Sequence, residues 1–222
     1  MMSRLLKDDK VSNAYKYIKD KIVSGEYPPL KDISDVELQE ELGMSRTPIR
    51  EAIQRLEKDY FVMVYPRKGT LVRELDYDLV NAIYQVRLLN EPYMAVQSYN
   101  QLEPEWLQMM YDAFKSPPKF QSHNDYVNYY TSLDNDLHNN IISNSHNSFL
   151  KELLNVISDH IHRIRIHSTK ANENYTASIE EHIRILDAML RKDEKAILDA
   201  YEKHIHSSWD DAIESIFPKK KL

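Results

Sequence analysis

Cysteine is absent from this 222-residue chain, glycine occurs three times, and no apolar run is long enough to cross a bilayer. The missing thiols exclude disulfides, iron–sulfur clusters, thiolate zinc sites and cysteine nucleophiles. So few glycines leave no Gly-rich phosphate loop of either common type. They suit long helices with few tight turns. The opening stretch from Met1 to Lys10 has neither the apolar core nor the small-residue cleavage site of a secretory signal, so the expected location is cytoplasmic. The length allows one or two domains.

The formal net charge is −6, which by itself argues against a nucleic-acid partner, but the charge is unevenly spread. Residues 1–76 hold 14 basic and 14 acidic side chains, whereas residues 77–222 hold 15 and 21. Within residues 44–68, six basic residues (Arg46, Arg50, Arg55, Lys58, Arg67, Lys68) face three acidic ones. Phosphates are met by such a local patch, whatever the total.

Hydrophobic spacing divides the chain in two. Val11, Tyr15, Ile18 and Ile22 recur at helical intervals, and Gly25 closes that helix. Tyr27-Pro28-Pro29-Leu30 reads as a loop. Ser34 and Glu37 form a capping box for a short helix through Leu42. Gly43 breaks the chain, and a second helix begins near Ser45 or Thr47 and runs to about Lys58. Two β-prone runs, 61–65 and 70–73, flank the turn Pro66-Arg67-Lys68-Gly69, which predicts a hairpin with a basic tip. From Asp76 on, about six helical stretches follow, near 77–101, 103–115, 123–145, 148–169, 174–192 and 193–215. One of the breaks between them is Lys170–Asn174, and the tail Pro218–Leu222 is expected to fray. The expected fold is mainly α: a winged helix-turn-helix over 1–75 and an antiparallel all-α bundle over 76–222.

In the second short helix, Ile49, Ile53 and Leu56 form one apolar stripe that docks it on its own domain. Thr47, Arg50 and Gln54 project away from that stripe, with Ser45 and Arg46 at the helix start. Helix N-termini of this kind enter the major groove, where arginine can grip guanine O6 and N7. Arg67, Lys68 and Gly69 at the hairpin tip can reach an adjacent groove or phosphates. By spacing alone the pattern also fits an ordinary helix pair with solvated charges. Ser24-Gly25-Glu26-Tyr27-Pro28-Pro29, together with the run from Leu38 to Glu57 that contains Ser45-Arg46-Thr47-Pro48-Ile49-Arg50-Glu51-Ala52, closely resembles the GntR family of bacterial repressors. The chain departs from that pattern at Leu30, where a glycine usually follows the proline, and at Asp59-Tyr60-Phe61, where Glu-Gly-Leu or similar is usual.

In the second part, Asp134 and His138 lie four apart and so share a helix face. His182 and His204 are equidistant from Asp193, in the break between the last two helices. In an antiparallel hairpin the two imidazoles would sit level, each about 15 Å along its helix from the turn. Three imidazoles and one carboxylate suit Zn²⁺, Ni²⁺ or another divalent transition metal. The spacing alone is weak, since such pairs occur by chance on exposed helices, and His123, His146, His160, His162, His167 and His206 follow no such logic. The segments around Asp134–Ile141, Ser145-His146-Asn147, Glu181–Met189 and Tyr201–His204 resemble the FCD (FadR C-terminal) sensing domain, and that resemblance implies a metal bound by Asp134, His138, His182 and His204. Six helices suggest the shorter, VanR-like branch. The run Tyr84–Pro92 resembles the first sensing helix. Its Arg87 would either face a ligand carboxylate or form a helix-surface ion pair with Glu91. Tyr126, Tyr129 and Tyr130 are read as packing residues.

The expected function is a homodimeric regulator of double-stranded operator DNA, by resemblance a repressor and not an enzyme, whose affinity a small organic acid at the metal would control. Alternatives are a metal that is itself the signal, a purely structural metal, and a metal-dependent hydrolase, for which the sequence offers no clear general base.

Overall fold

The computed structural model describes residues 2–169 and 176–218; the predicted break at 170–174 and the tail residues 219–222 lie outside the described residues. The chain divides into two compact units, the first ending at Asp76 and the second starting at Tyr77.

The first unit contains α1 (Met2–Val23), β1 (Asp32–Ile33), α2 (Asp35–Leu42), α3 (Arg46–Lys58), β2 (Val62–Tyr65) and β3 (Gly69–Val72). Ser34 caps α2: the Glu37 N–H donates to Ser34 Oγ at 3.3 Å, one half of the expected capping box. Gly43 ends α2 with φ 60°, a left-handed conformation that sends the chain sharply into α3. Ile49, Ala52, Ile53 and Leu56 of α3 are buried, with Ala14, Ile18 and Ile22 of α1 and Leu38 of α2 in the same core. The predicted apolar stripe therefore docks the helix.

The hairpin gains a third strand that the sequence did not announce. Strand β1 pairs antiparallel with β3, placing Asp32 opposite Leu71 and Ile33 opposite Thr70, and the sheet order is β1-β3-β2. Two residues are too few to display a period of two. Leu30 helps set this pairing by donating its N–H to the Val72 carbonyl at 2.9 Å. The two departures from the family pattern coincide with backbone that favours glycine: Leu30 has φ 63° and Tyr60 φ 64°. Gly69 has a reason internal to the domain, since a Cβ there would meet Asp32 Oδ1 at 3.1 Å.

The second unit is helical among its described residues: α4 (Tyr77–Ser98), a 3₁₀ turn (Tyr99–Gln101), α5 (Pro104–Lys115), α6 (His123–Ser143), α7 (Ser148–Thr169), α8 (Thr176–Leu190) and α9 (Glu194–Ile216). Helix α9 packs against α4, α7 and α8, while α5 covers α8 and α4 also touches α6 and α7. Leu137, Ile141, Ile185, Leu186, Ile197 and Ile205 fill the interior. Asp193 caps α9 by accepting from the Ala196 N–H at 3.0 Å, so α8 and α9 form the expected hairpin about this turn. Among the described residues, no helix is long and apolar enough to cross a membrane.

Left-handed backbone costs a residue with a Cβ about 1–2 kcal/mol, against about 0.5–1 kcal/mol of chain entropy for glycine. Leu30 is half exposed and has little packing to lose. Leu30→Gly should therefore stabilise the first unit by about 0.5 kcal/mol or more, and Gly43→Ala should destabilise it by about 1 kcal/mol. Urea denaturation midpoints measure both; a destabilising Leu30→Gly would refute the strain argument.

Candidate metal centre and nucleic-acid interface

Helix α6 supplies Asp134 and His138 from one face, and the α8–α9 hairpin brings His182 and His204 level, with ring centroids 4.4 Å apart. One ligand atom from each of the four lies within 4.8 Å of the others, and all four residues are buried. Asp134 Oδ1 is 3.0 Å from His182 Nε2 and 3.8 Å from His138 Nε2, and those two nitrogens are 3.5 Å apart.

The outer nitrogen of each ring explains this convergence. His138 Nδ1 lies 3.2 Å from the Tyr201 hydroxyl and 3.5 Å from Glu91 Oε2. His182 Nδ1 lies 3.4 Å from Ser178 Oγ, and His204 Nδ1 lies 3.1 Å from Glu181 Oε2. An Nδ1–H that donates outward leaves the Nε2 lone pair facing inward, the arrangement of metal-ligating histidines and their supporting acceptors. His204 Nε2 is buried with no hydrogen-bond partner. A cation among these atoms would satisfy it and relieve the confrontation of inward lone pairs, so the residues fit a divalent metal.

The electrostatics favour the same protonation states. Burial lowers the pKa of His138 despite the nearby Asp134 and Glu91 carboxylates. His204 falls well below the ordinary imidazole range, first through burial and then through His182 and His138. Burial alone would raise Asp134, but the Arg165 guanidinium, with His138 and His182, outweighs it and holds the carboxyl well below its usual value. Glu91, which burial would also raise, is brought down to about 2 by Arg87 and His138. At neutral pH, His138 and His204 are thus neutral and Asp134 anionic, the state a metal requires.

The centre opens into a cavity of about 320 Å³, with Asp134, His182 and His204 in its wall beside Phe114, Tyr130 and Arg165. Tyr130 packs on Phe114 and Tyr126 as expected and also lines this cavity, which its spacing did not indicate.

Arg87 forms the expected ion pair with Glu91, in a setting that the spacing did not indicate. It is 1% exposed and grips Glu91 through two hydrogen bonds, Nε–Oε1 at 2.7 Å and Nη2–Oε2 at 3.1 Å. The ion pair exists, but it is buried inside the bundle and does not lie on a helix surface. Arg165 of α7 instead reaches the cavity, in contact with Asp134 and 3.2 Å from Asn135 Oδ1. Sequence reasoning missed Arg165 because nothing in the spacing of α7 tells which turn of α6 it meets. It missed Glu181 although that residue adjoins His182, because the imidazole it supports lies on another helix.

In the first unit, Ser45, Arg46, Thr47, Arg50 and Gln54 are all exposed on α3, as are Arg67, Lys68 and Gly69 at the hairpin tip. Asp35, half-buried at the start of α2, was not anticipated: its Oδ2 lies 3.7 Å from Arg46 Nε and 3.3 Å from Arg50 Nε. The carboxylate holds both guanidinium groups at one place on the surface.

Residues 10–72 match the bacterial regulatory proteins of the gntR family, and residues 82–207 match the FCD domain. The chain is 28% identical over 182 residues to the HTH-type transcriptional regulator YdhC of Bacillus subtilis (strain 168), covering 82% of this chain and 81% of that protein. It is 25% identical over 194 residues to the Nta operon transcriptional regulator of Aminobacter aminovorans, covering 87% and 90%. Among solved structures, E. coli McbR/YncC superposes with a TM-score of 0.75 at 19% identity, covering 93% of this chain and 98% of that one. A putative transcriptional regulator GntR from Rhodococcus sp. RHA1 gives 0.72 at 16% identity, covering 93% and 99%.

Two measurements probe the centre. Zinc or nickel titrated against a competing chelator should bind the intact chain, raise its melting temperature, and bind the Glu181→Ala variant about 10–100-fold more weakly. His204→Ala should lose more; unchanged affinity in both variants would rule the site out. Arg87→Ala strands the Glu91 carboxylate and should cost about 3–5 kcal/mol of stability by denaturant titration. A stable Arg87→Ala protein that had lost only ligand affinity would instead make Arg87 a ligand anchor.

Proposed function

The chain belongs to the gntR family of bacterial regulatory proteins and carries that family's FCD domain, and from that premise we propose that this DNA-binding transcriptional regulator is controlled by a small carboxylate metabolite at a metal held by Asp134, His138, His182 and His204. The observation that carries this reading is the opening of the four-ligand cluster into the cavity of about 320 Å³ where Arg165 also lies. A bound divalent cation would offer a carboxylate oxygen a Lewis-acidic position.

The chain's own residues supply the rest. Arg165 presents a guanidinium, the geometry best suited to a second carboxylate contact. Because Arg165 is already paired with Asp134, an arriving anion competes for it and changes how α7 is held against α6. A ligand shifts the protein between two states by its difference in affinity for them, and this exchange of partners supplies such a difference.

On the DNA side, Arg46, Thr47, Arg50 and Gln54, with Ser45 at the helix start, read bases and adjoining phosphates in the major groove, and Arg67, Lys68 and Gly69 meet phosphates or the neighbouring groove. Two copies on a two-fold-related operator would place two such readers, and occlusion of a promoter would make the output repression.

Fluorescence anisotropy with a duplex from the chain's own upstream region tests the scheme. Arg46→Ala and Arg50→Ala should each cost about 1–3 kcal/mol of binding and relax base discrimination, whereas Lys68→Ala should weaken all sequences alike. A panel of small mono- and dicarboxylates should change operator affinity of the zinc- or nickel-loaded protein and leave His204→Ala unaffected. A response to metal alone, with no acid effective, would replace the carboxylate by the metal as signal. Absence of salt-sensitive, sequence-selective binding at that region and neighbouring promoters would sink the proposal.

A further inference from the structure

Folding adds a carboxylate to the basic patch of residues 44–68 from outside that run. Asp35 stands in the first turn of α2, and its Oδ2 lies 3.3 Å from Arg50 Nε and 3.7 Å from Arg46 Nε. Both approaches run through Nε, and Arg50 donates to the carboxylate there. The Nη1 and Nη2 groups form the far end of each guanidinium fork. The Asp35 side chain is 23% exposed against 61% for Arg46 and 58% for Arg50, so the acid is the most sheltered of the three and the cations lead toward solvent. Acidic residues inside the run are occupied elsewhere in the domain. Glu57 Oε1 accepts from the Val64 N–H at 3.2 Å, and Asp59 Oδ2 accepts from the Tyr15 hydroxyl at 2.7 Å.

We propose that Asp35 is a specificity-determining residue of the DNA reader: it positions Arg46 and Arg50 for base edges and sets a negative charge against phosphates that approach them. This inference rests on the reading of α3 as the helix that enters the groove. Phosphates occur along every sequence and supply non-specific affinity. A carboxylate beside both guanidinium groups opposes a phosphate by like charge and offsets part of the positive charge it would seek. Guanine O6 and N7 are uncharged acceptors, so the same carboxylate does not repel them as an anion. Holding Nε also orders the side chain, which reduces the entropy lost when the terminal amino groups take a base. The wider charge distribution agrees. Residues 1–76 carry 14 basic and 14 acidic side chains, so the unit has no general positive excess with which to hold arbitrary DNA.

An acid in the first turn also suits the dipole of α2, and Glu37 is a second acid in that turn. Glu37 lies two residues on, about 200° around the helix from Asp35, and so points away from the two arginines. Removing its charge separates an effect on α2 from an effect on the reader.

Fluorescence anisotropy of the full chain tests the proposal with two probes. One is a duplex that the wild type selects from a random-sequence pool, and the other is a scrambled duplex of equal length. Asp35→Asn keeps an oxygen that accepts from Nε and removes the charge. It should bind the scrambled duplex about 5–10-fold more tightly, with a salt dependence steeper by about one phosphate contact. Its preference for the selected duplex should fall about 5-fold or more. Asp35→Ala frees both Nε groups as well and should bind the selected duplex more weakly than Asp35→Asn. Glu37→Gln should leave the preference within about 2-fold of the wild type. A folding defect lowers binding to both duplexes alike and moves neither the preference nor the salt slope. An unchanged preference in Asp35→Asn, a parallel loss for both duplexes, or an equal effect from Glu37→Gln overturns the assignment. A wild type that selects no duplex would instead sink the reading of α3 on which the assignment stands.

Discussion

An imidazole has two nitrogens, and burying the ring requires a partner for each. Three imidazoles are buried together in the helical unit, and their outer nitrogens are met by Tyr201 and Glu91, by Ser178, and by Glu181. Those partners come from α4, α8 and α9, so orienting the rings ties three helices to a centre whose ligand candidates stand on α6, α8 and α9. The apolar side chains around it drive the helices together without direction. The polar network fixes their angular placement, because rotating any one helix strands a buried donor or acceptor.

Arginine illustrates how burial and partner divide one residue type into different roles. Arg87 grips both oxygens of Glu91 and has virtually no exposure, so it braces α4. Arg165 shares Asp134 with the surrounding histidines and stands at a cavity wall, where the proposed anion would compete for it. Arg46 and Arg50 share Asp35 at the protein surface, where a phosphate or a guanine edge could displace a single carboxylate. Partial pairing of this kind orders a side chain before its ligand arrives and reduces the entropy lost on binding.

Helix α4 joins these themes. Its inner side holds Arg87 and Glu91 against the histidine cluster. It also follows directly after the DNA-reading unit in the chain, since Asp76 and Tyr77 divide the two units.

Local rules in the sequence determined a good deal. Helical periodicity, the Ser34 cap, the turn at Gly43 and the apolar stripe of Ile49, Ile53 and Leu56 were all legible, because each depends on residues a few positions apart. The level placement of His182 and His204 was legible too, since a hairpin converts equal distance from Asp193 into equal height. Only the tertiary structure decided that Arg87 is buried, that Arg165 lines the cavity, that Glu181 supports His204 across the hairpin, and that Asp32–Ile33 joins the sheet. Those outcomes depend on which faces of distant elements meet, and packing of whole helices and strands, which no local spacing encodes, sets that pairing.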